Sequence, residues 1–211
     1  MSATSYPPDF VGAARPLAPG DFRAAAAVLQ LDERRIRAVD EVESRGRGFH
    51  PDSRRPVILY EPHVFHRLTR GKFSDSHPEI SYPTWGTKPY PASQSIRYAQ
   101  LIAARELDEA AALSSASWGR FQIMGFNHAA AGFSTPQAFV AAMCAGEGEH
   151  LMAFARFVKT SPRAMNALRL SDWAGFARWY NGEGYAQHGY DQRLKTAYAR
   201  LCADPPATAR A

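Results

Sequence analysis

Apolar β-branched residues gather in one short stretch of the first third of this 211-residue chain, Pro56-Val-Ile-Leu-Tyr-Glu61. This stretch follows the turn Asp52-Ser-Arg-Arg and predicts a strand, which requires a partner in a small sheet. From Ser93 onward, apolar residues instead recur at helical spacing. The chain is therefore predicted to be mainly α with a small β-sheet or hairpin, an α+β fold.

Helix-starting and helix-ending residues set the predicted helix boundaries. A long segment with four prolines, 71–91, is predicted to be an irregular loop, a kind of loop that is usually functional in a compact domain. The first predicted helices are one that starts at Pro19, one over 32–44, one or two turns within 63–70, one over 93–106 and one over 107–113. A long helix is then predicted from Thr135-Pro136 through Val158. It is followed by a helix that Ser171 caps and Gly182 ends, and by a last helix that carries Leu194 and Leu201.

Length and composition predict one domain, residues 18–202, between a flexible leader over 1–17 and a flexible tail over 203–211. The net charge of +5 favours a polyanionic partner such as nucleic acid, an anionic membrane surface or an acidic cell-wall polymer. No nucleic-acid module and no bilayer-spanning apolar run is present in the sequence. The first twenty residues lack a secretory signal pattern, so synthesis in the cytoplasm is expected. Cys144 and Cys202 are expected to be buried and reduced.

Glu43 lies in the apolar stripe of the predicted helix 32–44, together with Ile36, Val39 and Val42. Glu41 points to the opposite side. A carboxyl group that faces packed hydrocarbon is desolvated and holds its proton more readily, which suits a proton donor. The competing interpretation is a structural Glu that pairs with neighbouring arginines or backbone groups.

Three further segments give the pattern a family resemblance. Glu43-Ser44, then Ser117-Trp-Gly-Arg-Phe-Gln-Ile-Met, then Trp179-Tyr-Asn-Gly182 resemble, in this order, the lysozyme superfamily of goose-type lysozymes and lytic transglycosylases. With Ile58-Leu-Tyr-Glu-Pro-His-Val-Phe65 added, the chain is most similar to the N-acetylmuramidase catalytic domain of phage endolysins, over residues 18–202. The small peptidoglycan-binding domain that often precedes this domain is not expected here, since only residues 1–17 occupy that place.

The resemblance implies the catalytic carboxylates. Glu43 takes the position of the general acid, and Glu61, at the end of the predicted strand, is the best second carboxylate. The alternative for Glu61 is a structural cap that binds the backbone of residues 63–65. Asp52 is expected to form a solvated ion pair in its Arg-rich turn, and Glu147 to be a buried acid paired with an Arg or a backbone amide.

The resemblance also implies a set of substrate-binding residues, in which planar amides and aromatic faces suit sugar rings: Ser117, Trp118, Phe121, Gln122, Tyr180 and Asn181. Core packing is a competing role for Trp118 and Tyr180, and Gly182 would let substrate approach. The aromatic residues of the long loop, Tyr82, Trp85 and Tyr90, either line the substrate groove or anchor the loop to the domain.

The expected function is hydrolysis of the β-1,4 bond between N-acetylmuramic acid and N-acetylglucosamine, without metal or cofactor. Peptidoglycan glycan strands are the expected partner; no nucleic acid and no stable membrane association are expected, and the protein should be a monomer. We expect it in the host bacterial cytoplasm until its release to the periplasm and wall. Alternatives are a lytic transglycosylase, a secreted antibacterial effector and a non-catalytic wall-binding module.

Overall fold

The computed structural model describes residues 6–44 and 47–203, which form ten α-helices, three β-strands and two short 3-10 helices. In chain order the elements are α1 (Pro19–Leu29), α2 (Glu33–Glu43), β1 (Ile58–Tyr60), α3 (Pro62–Leu68), α4 (Gln94–Leu107), α5 (Glu109–Ser114), β2 (Ala116–Trp118), β3 (Ile123–Met124), a 3-10 helix (Gly125–Asn127), α6 (Pro136–Ala145), α7 (Glu147–Lys159), α8 (Pro162–Leu170), α9 (Trp173–Asn181), a 3-10 helix (Glu183–His188) and α10 (Tyr190–Ala203).

The chain divides into two compact units, each built from two separate stretches of sequence, where the sequence predicted one domain. The first unit contains residues 1–16 and 47–150, and the second contains residues 17–46 and 151–211. The predicted mainly helical fold with a small sheet is confirmed. No helix in the described ranges is long and apolar enough to span a bilayer.

A three-stranded antiparallel sheet, in the order β1-β2-β3, lies in the first unit. Ile58 pairs with Trp118 in β2, which in turn pairs with Ile123 in β3. The Gln94 side chain extends this pairing, because its amide accepts from the Ile58 N–H at 3.0 Å and donates to the Ile58 carbonyl at 2.9 Å. The strand predicted over 56–61 is confirmed in shorter form, and β2 and β3 come from the segment that carries the family resemblance.

Residues 6–16 belong to the packed structure, so the prediction of a flexible leader over 1–17 is wrong for these residues; residues 1–5 lie outside the described ranges. Phe10 is fully buried and contacts the rings of Tyr98 and Trp118 at centroid distances of 5.4 and 5.8 Å. The Tyr6 hydroxyl donates to Glu109 at 2.7 Å. The polar, proline-rich composition predicted flexibility, but the two aromatic residues Tyr6 and Phe10 attach this segment to the core. The predicted tail over 203–211 lies almost wholly outside the described residues.

The second unit is helical, and α2 packs against α1 and α10. The α2 boundaries follow the prediction: the Asp32 side chain accepts from the Arg34 N–H at the start, and Ser44 caps the end. At α9 the cap is Asp172 instead of the predicted Ser171. Ser171 adopts the left-handed conformation that ends α8, a helix the sequence pattern did not indicate.

The long helix predicted from Thr135 is two helices, α6 and α7, which are separated at Gly146. This residue has extended backbone, and its neighbours bond to the N-terminal segment instead of continuing the helix: Arg15 forms a bridge with Gly146, and the Glu147 N–H donates to the Arg15 carbonyl at 2.8 Å. An ideal Cβ at position 146 would lie 3.0 Å from the Arg15 Cβ. The contact with a distant segment therefore overrides the continuous apolar stripe.

A buried polar cluster forms around Glu147, as predicted for this acid. Its Oε1 accepts from the Gly48 N–H at 2.6 Å and lies 3.2 Å from Arg120 Nη1. His150 is buried beside them: its Nδ1 accepts from the Arg120 N–H at 3.1 Å, and its Nε2 donates to the Met143 carbonyl at 2.7 Å. The imidazole is therefore neutral and uses both nitrogens.

The His150 ring fits into its position because two neighbouring residues, Gly48 and Gly119, have no side chain. An ideal Cβ would lie 2.5 Å from Nδ1 at Gly48 and 2.6 Å from it at Gly119, which also has a φ of +69°. The Phe49 ring stacks on the imidazole with a centroid distance of 5.0 Å. Only glycine therefore fits at these two positions without displacing the His150 ring.

The two cysteines differ in environment. Cys144 is buried, which raises the pKa of its thiol to about 12, as expected for an unreactive core residue. Cys202 is exposed near the end of α10, so the prediction that it is buried is wrong.

The His150 cluster predicts how the free energy of unfolding depends on pH. Burial, with Arg120 as a smaller cause, lowers the pKa of His150 from 6.5 to about 4. The unfolded state therefore binds this proton first, so stability is complete above about pH 6.5 and falls by on the order of 3 kcal/mol as pH drops towards 4. Denaturant titrations at several pH values measure this.

A matched pair of variants isolates the effect from that of other acid-titrating groups. His150→Gln should flatten the pH dependence between 6.5 and 4, whereas His188→Gln, at an exposed position, should retain the wild-type slope. If His150→Gln is too unstable to purify, NMR titration of wild-type His150 gives the same information. An imidazole that titrates near pH 6.5 in the folded protein contradicts the prediction.

Candidate active site

Glu43 is the last residue of α2 and is half-buried. Its helix turns Ile36, Val39 and Val42 into the core, so the predicted stripe is confirmed. Glu41 is exposed and pairs with Arg200. The helix thus separates a partly desolvated carboxyl group from a solvated one that lies only two residues away in the sequence.

Asn181, the last residue of α9, contacts Glu43 directly. Its side-chain Nδ2 donates to Glu43 Oε1 at 3.0 Å, and both residues belong to the second unit. The contact joins two of the sequence segments that predicted the site, although they lie 138 positions apart.

Tyr180 supports the same corner from the core side. Its ring lies parallel to Phe176 with a centroid distance of 6.0 Å and meets Phe154 edge-on at 5.7 Å. Burial, together with the nearby charge of Glu43, raises the pKa of Tyr180, so the phenol stays neutral. Tyr180 therefore has the packing role that was considered from the sequence, and it also lies close enough to the Glu43 carboxyl group to interact with it.

Gly182 follows Asn181 with a φ of +77°, and no atom lies within 4 Å of an ideal Cβ at this position. The glycine ends α9 and leaves open space beside Asn181. The approach of a ligand at this point stays a prediction.

Glu61 lies in the first unit, directly between β1 and α3. Its side chain is 15% exposed and makes no capping hydrogen bond to α3, in contrast to the structural role considered from the sequence. Instead, Oε2 accepts from the Tyr90 hydroxyl and lies 3.4 Å from His63 Nδ1. Burial raises the pKa of the Glu61 carboxyl, and these two partners oppose that shift.

The aromatic residues of the long loop divide into two groups. Tyr82 and Tyr90 line a cavity of about 180 Å³ that also touches Pro62, the residue after Glu61. Trp85 is 69% exposed. The segment 71–91 contains no helix or strand, as predicted.

Ser117 and Gln122 form a hydrogen-bonded pair within the β2-β3 hairpin. The Ser117 hydroxyl donates to Gln122 Oε1 at 2.8 Å, while Gln122 Nε2 donates to the carbonyls of Val57 and Gly119 at 3.1 and 2.8 Å. The exposed Gln122 amide thus uses both donors on the protein. These contacts show that the Gln122 side chain stabilises the turn between β2 and β3.

Trp118 and Phe121 are 1% and 3% exposed, so the prediction that they bind substrate directly is corrected. The Trp118 indole donates to the Leu113 carbonyl at 3.0 Å and packs on Phe10. Both side chains belong to the core beneath the hairpin. Their family pattern reflects packing, the alternative already open for Trp118.

Tyr90 and His63 are the residues at this site whose role sequence reasoning missed. Tyr90 was considered only as a groove wall or loop anchor, and no role was assigned to His63. A contact across 29 positions through an irregular loop leaves no periodic signal in the sequence. The proximity of His63 to Glu61, two residues earlier in the chain, was the only available indication.

The other two acidic residues considered from the sequence lie in different surroundings. Asp52 is exposed in its turn, and Glu147 is held by Gly48 and Arg120. Within residues 6–44 and 47–203, no group of three His, Cys, Asp or Glu side chains has the arrangement of a metal site.

The mainly helical fold with a small antiparallel sheet, together with the comparisons with known proteins, identifies the chain as a lysozyme-like glycoside hydrolase. The family model for muramidases, described as N-acetylmuramidase, matches residues 32–202. The chain belongs to this N-acetylmuramidase family, and the resemblance seen in the sequence is confirmed.

Solved structures support the same assignment. The chain is similar to the crystal structure of the Burkholderia AP3 phage endolysin, with 43% identity and a TM-score of 0.82. The match covers 90% of this chain and 72% of that one. No curated protein matches the chain.

Proposed function

We propose that this muramidase cleaves the β-1,4 bond between N-acetylmuramic acid and N-acetylglucosamine by hydrolysis, with Glu43 as the general acid and Glu61 as the water-directing base. The observation that carries the proposal is the hydrogen bond from Asn181 to Glu43, which orients a half-buried carboxyl group at the end of α2. Such a group combines partial desolvation with a fixed direction for its proton.

Glu43 donates its proton to the glycosidic oxygen as the bond to the anomeric carbon breaks. The leaving sugar departs as a neutral alcohol, and positive charge develops on the ring. The neutral phenol of Tyr180 places an aromatic support next to this carboxyl group without adding a charge.

Glu61 completes the reaction by accepting a proton from the attacking water, whose oxygen bonds to the anomeric carbon. The carboxyl group has to be ionised for this step. Its Tyr90 and His63 contacts favour the ionised form against the effect of burial. Glu43 ends the reaction ionised and Glu61 protonated, and proton exchange with solvent restores both.

Substrate binding at Asn181, with Tyr180 beside it, is part of the proposal. The open space at Gly182 supports it. Ser117 and Gln122 contribute by fixing the hairpin, and Gln122 is the member of this pair that is exposed. The net charge of +5 favours attachment to an anionic wall, and we propose that the enzyme acts as a monomer without cofactor.

We further propose an endolysin role, in which the protein accumulates in the bacterial cytoplasm and acts when the inner membrane is breached. The support is its similarity to a protein named as a Burkholderia phage endolysin.

Replacement of Glu43 by Gln tests the general acid. Glu43→Gln keeps the shape and the bond from Asn181 but cannot supply the proton, so activity on purified sacculi should fall by at least ~10²-fold with unchanged thermal stability. Glu41→Gln, two residues earlier and solvated, is the matched control and should stay near wild type. Comparable losses in both variants would refute the assignment.

Replacement of Glu61 tests the base and the type of product. Glu61→Gln should lower turnover strongly while sacculus binding and thermal stability stay near wild type. Mass spectrometry of wild-type products, before and after borohydride reduction, should show reducing N-acetylmuramic acid ends. Products with 1,6-anhydro ends would instead identify a lytic transglycosylase, which needs no water-directing base.

The stereochemistry of the product tests the role of Glu61. A Glu61 that directs water gives inversion, which is the expected outcome, whereas retention would identify Glu61 as a nucleophile. NMR detection of the first anomer released distinguishes these outcomes.

Expression in a bacterium tests the endolysin role. Cells that produce the protein in the cytoplasm should keep growing and should lyse when a permeabilising agent opens the inner membrane. Glu43→Gln controls for lysis by the agent alone. Spontaneous lysis with protein found in the periplasm would contradict cytoplasmic accumulation.

A further inference from the structure

The Glu61 carboxylate is held on one side only. In the described part of the chain, both of its side-chain contacts, from Tyr90 and His63, go to Oε2. Oε1 accepts no hydrogen bond from these residues. A base that directs water needs one oxygen fixed and the other oxygen available, and this arrangement provides both.

The Tyr90 hydroxyl is placed by a clamp that ties the loop end to the sheet. Arg97 Nε donates to the Pro91 carbonyl at 2.8 Å, and its Nη1 donates to the Ile58 carbonyl at 3.0 Å. Pro91 follows Tyr90, and Ile58 begins the strand that ends just before Glu61. One guanidinium therefore sets the loop and the strand relative to each other.

A second contact, made by an exposed lysine, joins two points of the same loop before Tyr90. Lys88 Nζ donates to Glu79 at 2.7 Å and to the Pro78 carbonyl at 3.0 Å, which closes the ten-residue segment before Tyr90. The loop has no regular secondary structure, yet its end is held by the bond from Arg97 to Pro91, the bond from Lys88 to Pro78 and the contact of Tyr90 with Glu61. A hydroxyl on such a segment keeps a defined direction without the support of a helix or strand.

We propose that Tyr90 is a positioning residue of this muramidase: its hydroxyl binds Oε2 of Glu61 so that Oε1 faces the attacking water. This rests on the proposed role of Glu61 as the base. Tyr90 touches the base and not the reacting atoms, so its contribution reaches the reaction through Glu61.

The proposal gives a sign to the pH dependence of activity. The groups that face Glu61 are His63 from α3 and Tyr90 and Tyr82 from the loop, with Lys88 next to Tyr82. Among these, the Tyr90 hydrogen bond is the strongest influence that lowers the pKa of Glu61 against burial. Its loss should raise that pKa, so the acid limb of the turnover profile should move to higher pH.

Tyr90→Phe is the test, because it removes the hydroxyl and keeps the ring that lines the cavity. On purified sacculi, we expect kcat to fall about tenfold with little change in KM, since a hydrogen bond to a charged group is lost. The acid limb of the kcat profile should move up by on the order of one pH unit. Thermal unfolding reports any general loss of structure.

Tyr6→Phe is the matched control, because Tyr6 donates to Glu109 in the same unit and also forms a tyrosine–carboxylate pair. It should leave kcat and the pH profile unchanged, whatever it does to the melting temperature. An unshifted pH profile in Tyr90→Phe, with only a lower melting temperature, would overturn the proposal and make Tyr90 a loop anchor.

Glu61→Gln separates this proposal from the proposed function. If Glu61→Gln keeps activity, the base assignment fails and the Tyr90 role fails with it. If Glu61→Gln is inactive and Tyr90→Phe has the wild-type profile, only the Tyr90 role fails. The double variant should be no less active than Glu61→Gln alone, because Tyr90 acts through that carboxylate.

Discussion

The buried carboxylate of Glu147 is the group on which the first unit depends. It accepts from the Gly48 N–H and pairs with Arg120, with both charged side chains little more than a tenth exposed. Removal of the acid would take away the acceptor of the Gly48 amide and the carboxylate beside the Arg120 guanidinium, a loss of about 3–5 kcal/mol for buried pairs of this kind. The Gly48 carbonyl in turn accepts from the Val57 N–H at 2.8 Å, just before β1. The contact thus leads along the chain to the strand that carries Glu61.

The sequence predicted those parts of the fold that depend on residues close together in the chain. The helix cap at Asp32, the helix that begins at Ser93, the proline at the start of α1 and the stripe containing Glu43 all depend on interactions within a few residues. The failures have the opposite cause. The break at Gly146 and the ordered segment around Phe10 depend on contacts more than a hundred positions apart, which periodicity does not record.

The site shows the same division. The family pattern named both Glu43 and Asn181, because both lie in its segments, but it did not predict the hydrogen bond between them. That pattern does not distinguish residues that touch substrate from residues that hold the hairpin, so Trp118 and Phe121 were assigned to binding although they are buried. The contact of Tyr90 with Glu61 could not be predicted, because side-chain directions in a loop without regular structure follow no repeating pattern.

The N-terminal segment has a consequence for how the chain folds. Tyr6 reaches Glu109 and the Ala14 N–H reaches the Cys144 carbonyl, so these contacts close loops of more than a hundred residues. Closing such loops costs entropy before the contacts reward it, which slows folding. Because each unit draws on two stretches of sequence, the first unit cannot be completed on the ribosome until α6 has emerged. Until Tyr98 and Trp118 have been synthesised, the nascent chain therefore lacks the rings that bury Phe10 in the folded protein.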